Sequence, residues 1–202
     1  YMLDYDRKLI KHNQELEYEK RRKVVDLINI YEGKFNKIGM KIGKTNPLSK
    51  NWYEDKRKND KDALEQLRLN TENFFRSYTK TNSEDNMYTT FEPYCGYIKG
   101  KGYAKGFLPC DVERATEEYE NKKSLAYLVN YFLPLEIQEV VNQTFADFDV
   151  DVCTLRYLLK WIGKSQIHNG KPIDLYIPSE RMRNLLINWM KECEIKKGGT
   201  AN

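Results

Sequence analysis

The residues of this chain that could do chemistry are mostly bases. Arg156, Lys160 and Lys164 recur every four positions and, on a helix, form one basic stripe opposite Leu155, Leu158, Leu159 and Ile162. Such a stripe either faces water or meets an anion. A second group, Arg114 and Thr116, follows an apolar run that ends at Pro109. There a hydroxyl and the first backbone amides of a helix can meet a phosphate. A third lies in Lys34–Lys61, where nine basic residues face three acidic ones, Lys41, Lys44 and Lys50 among them. A local surplus of this kind attracts polyanions, because each Lys or Arg displaces a counterion from a phosphate.

Other constellations fail on spacing. Gly43-Lys44-Thr45 ends like a phosphate-binding loop, but Gly39 precedes Gly43 by four positions instead of five and no strand leads into it. The ATP-gripping loop is therefore expected elsewhere. The four cysteines (Cys95, Cys110, Cys153, Cys193) never pair as Cys-x-x-Cys, and His12 and His168 are the two histidines, so no zinc site is expected. Nor does the chain offer a credible Ser-His-Asp or Cys-His constellation. Asp147, Asp149 and Asp151 alternate without the glycine and distal glutamate of a calcium loop. Tyr94, Tyr97 and Tyr103 interleave with Lys99, Lys101 and Lys105, a mixture suited to stacking on bases or simply to packing.

The elements that must position these groups divide by texture. Residues 6–31 are expected to be helical, since Leu9, Leu16, Val24, Leu27, Ile28 and Tyr31 recur at three- and four-residue steps. A second helix is expected from Trp52 to Tyr78, with Leu64, Leu67, Phe74, Phe75 and Tyr78 on one face. From Met87 onward compact apolar runs at Tyr88–Phe91, Gly106–Pro109, Leu125–Asn130 and Ile173–Ile177 alternate with helical patterns at Val112–Glu120, Leu135–Phe145, Cys153–Ile167 and Ser179–Cys193. In the last of these Ser179 can cap the helix, and Met182, Leu185, Leu186, Trp189 and Met190 form its apolar stripe. Strands separated by helices imply a mostly parallel sheet covered on both faces, an α/β fold. The expected division is a basic helical extension over 1–86, an α/β domain over 87–195 and a tail over 196–202.

Across its second half the chain resembles the second RecA-like lobe of superfamily-two, DEAD-like helicases. The order is a strand running into Cys110-Asp111-Val112-Glu113-Arg114-Ala115-Thr116, a strand ending at Leu133-Pro134, a helix carrying Lys160-Trp161-Ile162-Gly163-Lys164-Ser165-Gln166-Ile167-His168, and Tyr176-Ile177-Pro178-Ser179-Glu180-Arg181-Met182-Arg183. The segments from Cys110, Lys160 and Tyr176, in that order, also resemble a divergent group of helicase-like proteins in phages and mobile elements, the last segment most specifically. The resemblance implies a RecA-like sheet with nucleic acid, single-stranded or duplex, as partner. It also implies an upstream lobe of the same parent that holds most of ATP and Mg. Lys160, Lys164 and His168 would then face the nucleotide, while Arg114, Thr116, Arg156 and the Lys41, Lys44 and Lys50 segment would face nucleic acid. Where that family carries Gln and two Arg, this chain has Lys160, Lys164 and His168. Lysine is a point charge and cannot chelate two phosphate oxygens as an arginine fork does. The fragment alone is thus expected to be inactive. The competing reading is a non-catalytic nucleic-acid-binding or assembly subunit on a degenerate lobe.

Composition sets the outer bounds. The 202 residues carry a net charge of +4, 40% hydrophobic and 32% charged residues, with a mean hydropathy of −0.78. That suffices for one core and a wet surface. No run of eighteen apolar residues exists, so no membrane partner is expected. The opening Tyr1-Met2-Leu3-Asp4 is no signal peptide and reads as the start of a piece of a longer chain. Unpaired cysteines point to a reducing compartment, the cytoplasm.

Overall fold

The computed structural model describes residues 21–43, 45–111, 117–133 and 149–195. Four strands form the sheet: β1 (Ile28–Ile30), β2 (Asn86–Thr89), β3 (Ser124–Tyr127) and β4 (Ile173–Tyr176). Their spatial order is β1-β4-β3-β2, and every pairing is parallel, with Ile28 opposite Ile173, Leu125 opposite Leu175 and Met87 opposite Leu125. All residues of β2 and β3 are buried, as a parallel sheet covered on both faces requires. Beyond β2 the chain adds one bridge at Phe107, where the Tyr88 amide donates to the Gly106 carbonyl at 2.8 Å and the Leu108 amide to the Tyr88 carbonyl at 2.9 Å. Gly106 permits this approach: a Cβ there would stand 2.1 Å from the Asn86 carbonyl oxygen.

Among the described residues, α1 (Lys50–Asn59), α2 (Lys61–Asn73), α3 (Cys95–Ile98), α4 (Val150–Ile162) and α5 (Glu180–Ile195) pack on the sheet or at its rim. Strand residues alternate between two cores, as a period of two dictates. Met87, Leu125, Tyr127, Ile173 and Leu175 join Leu158, Trp161, Ile162, Met182 and Leu186 of α4 and α5. Tyr88, Ala126, Leu128 and Tyr176 join Tyr53, Leu64, Leu67, Phe74 and Phe75 on the other side. Residues before and after the polar stretch 79–86 share this second core.

The parallel α/β architecture expected from the sequence is what the chain adopts, and the strands near 88, 125 and 173 fall where the apolar runs lie. Three local expectations are corrected. Residues 28–30 are a strand, because Leu27 to Tyr31 completes the sheet edge: the Ile173 amide donates to the Leu27 carbonyl and the Tyr31 amide to the Leu175 carbonyl, both at 2.8 Å. Residues 21–25 are helical, and the remainder of the expected 6–31 helix lies outside the described residues. The single helix expected from Trp52 to Tyr78 is broken at Asp60. Asp60 closes α1 and caps α2, accepting from the Ala63 amide at 3.3 Å and from Lys56 Nζ at 2.9 Å. After Asn73 the helix widens into a π turn, Phe74–Thr79, which leaves Tyr78 51% exposed rather than buried with Phe74 and Phe75. In α5, Ser179 Oγ does accept from the Met182 amide, at 3.4 Å, but Leu185 and Trp189 are only half-buried. The expected helix over 112–120 is described only at its end, as a short 3-10 turn at Glu117–Tyr119, and the one over 135–145 lies outside the described residues.

Candidate functional site

In an open parallel sheet, ligands settle at the carboxyl ends of the strands, and here that edge is hollow. A cavity of about 500 Å³ opens where β2 runs into Thr90-Phe91-Glu92-Pro93, where the Phe107 bridge runs into Pro109-Cys110-Asp111, and where β3 runs into Asn130-Tyr131-Phe132. Asn46 and the first turn of α1 (Ser49, Lys50, Asn51) close its remaining side. The lining is therefore mixed: aromatic rings and prolines, one lysine, two carboxylates and a helix N-terminus.

The first turn of α1 is held in place by its own sequence. Ser49 Oγ accepts from the Trp52 amide at 3.2 Å, its carbonyl accepts from the Tyr53 amide at 3.0 Å, and the Tyr53 phenol donates to the Leu128 carbonyl at 2.6 Å. Asn130, 4% exposed, donates its side-chain amide to the Pro47 carbonyl at 3.2 Å. Helix and strand end are thereby tied together across the cavity. Arg181, in the first turn of α5, braces the opposite wall. It donates to the Tyr131 carbonyl at 2.8 Å and to Asn130 Oδ1 at 3.3 Å, pairs with Asp151 at the start of α4, and lies 4.4 Å from the centre of the Phe132 ring. Burial, then the neighbouring Tyr157, pushes the Tyr131 phenol up to about 12. Burial, then Asp111, pushes the Cys110 thiol up to about 12, so Cys110 is a neutral wall residue and no thiolate nucleophile.

The candidate residues read from the sequence fall into separate places. Lys50 lines the cavity. Lys41 is exposed, and its backbone amide donates to Glu180 Oε2 at 3.1 Å, beside the start of α5. Lys44, Arg114 and Thr116 lie outside the described residues, although Pro109-Cys110-Asp111, which leads to Arg114, is part of the lining. Arg156 and Lys160 are exposed on α4. Lys164 and His168 lie beyond its C-terminal end, where the Gln166 amide donates to the carbonyl of Lys122, just before β3. His168 is exposed and its Nδ1 donates to the Ser165 carbonyl at 2.8 Å. A crossover helix runs antiparallel to its strands, so Lys164 and His168 sit at the amino edge of the sheet and the cavity at the carboxyl edge. The structure does not bring the two together. Sequence reasoning had not singled out Phe91, Asn130, Tyr131 or Arg181. Arg181 and Phe132 do stand within or beside segments that carry the helicase resemblance.

Comparison with known proteins places this geometry in a family. The model of the YonV C-terminal Rossmann-like domain matches residues 22–190. The chain belongs to this family. The SPbeta prophage-derived uncharacterized protein YonV of Bacillus subtilis (strain 168) is 36% identical over 184 residues, which cover 91% of this chain and 43% of that protein. The chain thus spans less than half the length of this relative. No solved structure matches. The YonV C-terminal fold here is a Rossmann-like parallel sheet with flanking helices. Among the described residues no helix is long and apolar enough to cross a membrane, and no cluster of three or more His, Cys, Asp or Glu could hold a metal ion.

Proposed function

We propose that this YonV C-terminal domain is the nucleic-acid-binding lobe of a helicase-like, ATP-dependent phage protein. The observation that carries the reading is the cavity at the carboxyl ends of β2 and β3. There Lys50 and the Pro109–Asp111 segment meet Phe91, Tyr131 and Phe132. Aromatic rings beside a cation suit the stacking and charge neutralisation of a single strand. The strand runs along this edge, over Lys41 and Lys50, and Arg114 and Thr116, outside the described residues, are proposed as further contacts to it. Lys160, Lys164 and His168, towards the other end of α4, face an upstream lobe that holds most of ATP and Mg. Cys95, Cys110 and Cys153, none of them in a disulfide, support a reducing compartment, the cytoplasm, as its place of action.

The test is fluorescence anisotropy of a labelled single-stranded oligonucleotide, DNA and RNA in turn, titrated with the chain across a salt series. Affinity falls steeply with salt. Neutralising Lys41, Lys44 and Lys50 together flattens the slope of log affinity against log salt by roughly 2, at about 0.7 per contact. An unchanged slope sinks the strand path. The chain alone releases phosphate from ATP at background rate; robust turnover stimulated by nucleic acid would show that the catalytic groups lie within it. In the longer parent protein, Lys160→Ala with Lys164→Ala lowers the ATP response more than strand affinity. Equal losses in both would favour a non-catalytic binding subunit.

A further inference from the structure

Away from the cavity, three rings form a column between the sheet and the surface. Tyr176, at the end of β4 and fully buried, stacks on Phe74 with ring centres 5.3 Å and planes 30° apart. Phe74, also fully buried, stacks in turn on Tyr78 at 5.7 Å and 19°. Tyr31 meets Tyr78 edge-on at 4.8 Å and 83°. The column ends on Tyr78, which packed rings hold on one face and one edge and which is 51% exposed. Two unusual backbone features turn it outwards: the π turn Phe74–Thr79 and, closing it, Lys80 in the left-handed region at φ 54°. Both are uncommon, and both concentrate at functional sites. The surroundings are basic. Residues 31–43 and 73–81 hold Lys34, Lys37, Lys41, Arg76 and Lys80 against the single acid Glu32. None of these five bases forms an ion pair among the described residues. Lys34 stands 5.8 Å over the ring of Phe35, which stacks on Tyr31 at 5.3 Å.

We infer that Tyr78 is a stacking platform for one unpaired base of a single strand, with Lys34 and Lys80 taking the flanking phosphates. The inference rests on the nucleic-acid reading above and adds to it a contact outside the cavity. A base laid on Tyr78 continues the column Tyr176–Phe74–Tyr78, and the buried rings hold the platform rigid, so little side-chain freedom is lost on binding. Unpaired cations around an exposed ring are complementary to a polyanion with π faces, and an acidic or purely apolar partner would use only half of that surface. The place also fits. The column starts at the end of β4, and Tyr31 follows the end of β1. In the order β1-β4-β3-β2 this is the same carboxyl edge as the cavity, two to three strand spacings further on. A strand lying over Lys41 along that edge meets both.

Fluorescence anisotropy of two labelled strands of equal length tests this, one of oligothymidylate and one of abasic sugar-phosphate, each titrated with the full chain. Tyr78→Ala should weaken the base-bearing strand roughly five- to hundredfold, the range of one stacked base, and leave the abasic strand unchanged. Tyr78→Leu, which keeps an apolar contact with Phe74 and cannot stack, should do the same. Tyr78→Phe and Tyr78→Trp keep the ring and should bind within about twofold of the unaltered chain. Stacking releases no counterion, so Tyr78→Ala leaves the salt slope as it is. Lys34→Gln with Lys80→Gln flattens that slope by roughly 1.4, at about 0.7 per contact. Undiminished affinity of Tyr78→Leu for the base-bearing strand overturns the platform and leaves the nucleic-acid reading standing. So does an equal loss on the abasic strand, which would mark Tyr78 as structural, and so does an unchanged slope in the double lysine variant. Failure of the unaltered chain to bind either strand overturns both readings.

Discussion

The two faces of the sheet are filled differently. Beneath α4 and α5 the buried side chains are mainly aliphatic, Leu125, Leu158, Ile162, Ile173, Leu175 and Leu186 around Trp161. Beneath α1 and α2 lie six tyrosines, Tyr31, Tyr53, Tyr88, Tyr94, Tyr103 and Tyr176, with Phe74 and Phe75. Aliphatic contacts are non-directional and set spacing more than orientation. Phenols need partners and fix both. Tyr103 donates to the Ile98 carbonyl at 2.5 Å, Tyr176 to the Phe35 carbonyl at 2.7 Å, Tyr94 to Glu54 at 2.8 Å and Tyr53 to the Leu128 carbonyl at 2.6 Å. The last of these registers the first turn of α1 against the end of β3. The tyrosine face therefore fixes the position of α1 at the rim of the cavity, and the aliphatic face packs α4 and α5 on the sheet.

The largest expected effect is alkaline. Burial raises the phenols of Tyr53, Tyr88, Tyr103 and Tyr176 above the ordinary value near 10. The folded chain keeps these protons at pH values where the unfolded chain gives them up. Stability that is full below about pH 10 is therefore lost as pH rises further. Denaturant melts across pH 8 to about 12 check this, and a flat profile would mean the phenols reach water. Next comes the aliphatic side. Trp161, 2% exposed, donates its indole N–H to the Leu108 carbonyl at 3.0 Å, and Trp161→Ala should lose roughly 3–5 kcal/mol. Tyr53→Phe should lose roughly 1–3 kcal/mol, leave the Leu128 carbonyl without its donor, and make the alkaline loss shallower. Trp189→Ala should lose least, roughly 1–2 kcal/mol, because Trp189 is only half-buried. If Tyr53→Phe cost more than Trp161→Ala, the tyrosine face would be the principal core and the comparison would reverse.

How legible each part was follows from its pattern. The strand at Ile173–Tyr176 and the Ser179-capped helix behind it show a compact apolar run, a cap and a clean stripe, and both stand where expected. β1 was hidden because Val24, Leu27, Ile28 and Tyr31 continue a helical spacing through a three-residue strand too short to show alternation. Asp60 looked like one more charge on a helix face; capping one helix while closing another is a backbone event that apolar spacing does not report. Of the basic surplus, Lys50 lines the cavity, as does the segment ending at Asp111. The cavity's aromatic wall did not show, since Phe91, Tyr131 and Phe132 follow three different strand ends and become neighbours only through the sheet order. Arg156 and Lys160 stand exposed four residues apart on α4, whereas Lys164, expected on the same stripe, lies past the helix end at Ile162. Spacing gives a stripe's face on its helix but not which edge of the sheet the far end of that helix reaches.

The sheet order has a consequence for how the domain comes into being. β1, among the first described residues, finds its neighbour only in β4, with Ile28 opposite Ile173. During synthesis, β2 and β3 can pair as soon as residue 127 has left the ribosome, but β1 has no place in the sheet until β4 emerges and sets its other edge on β3. The Ile28–Tyr31 segment must wait unpaired through most of the domain's translation. A product truncated before residue 173 would present two exposed strand edges at once, β1's and β3's, each a template for pairing with another chain.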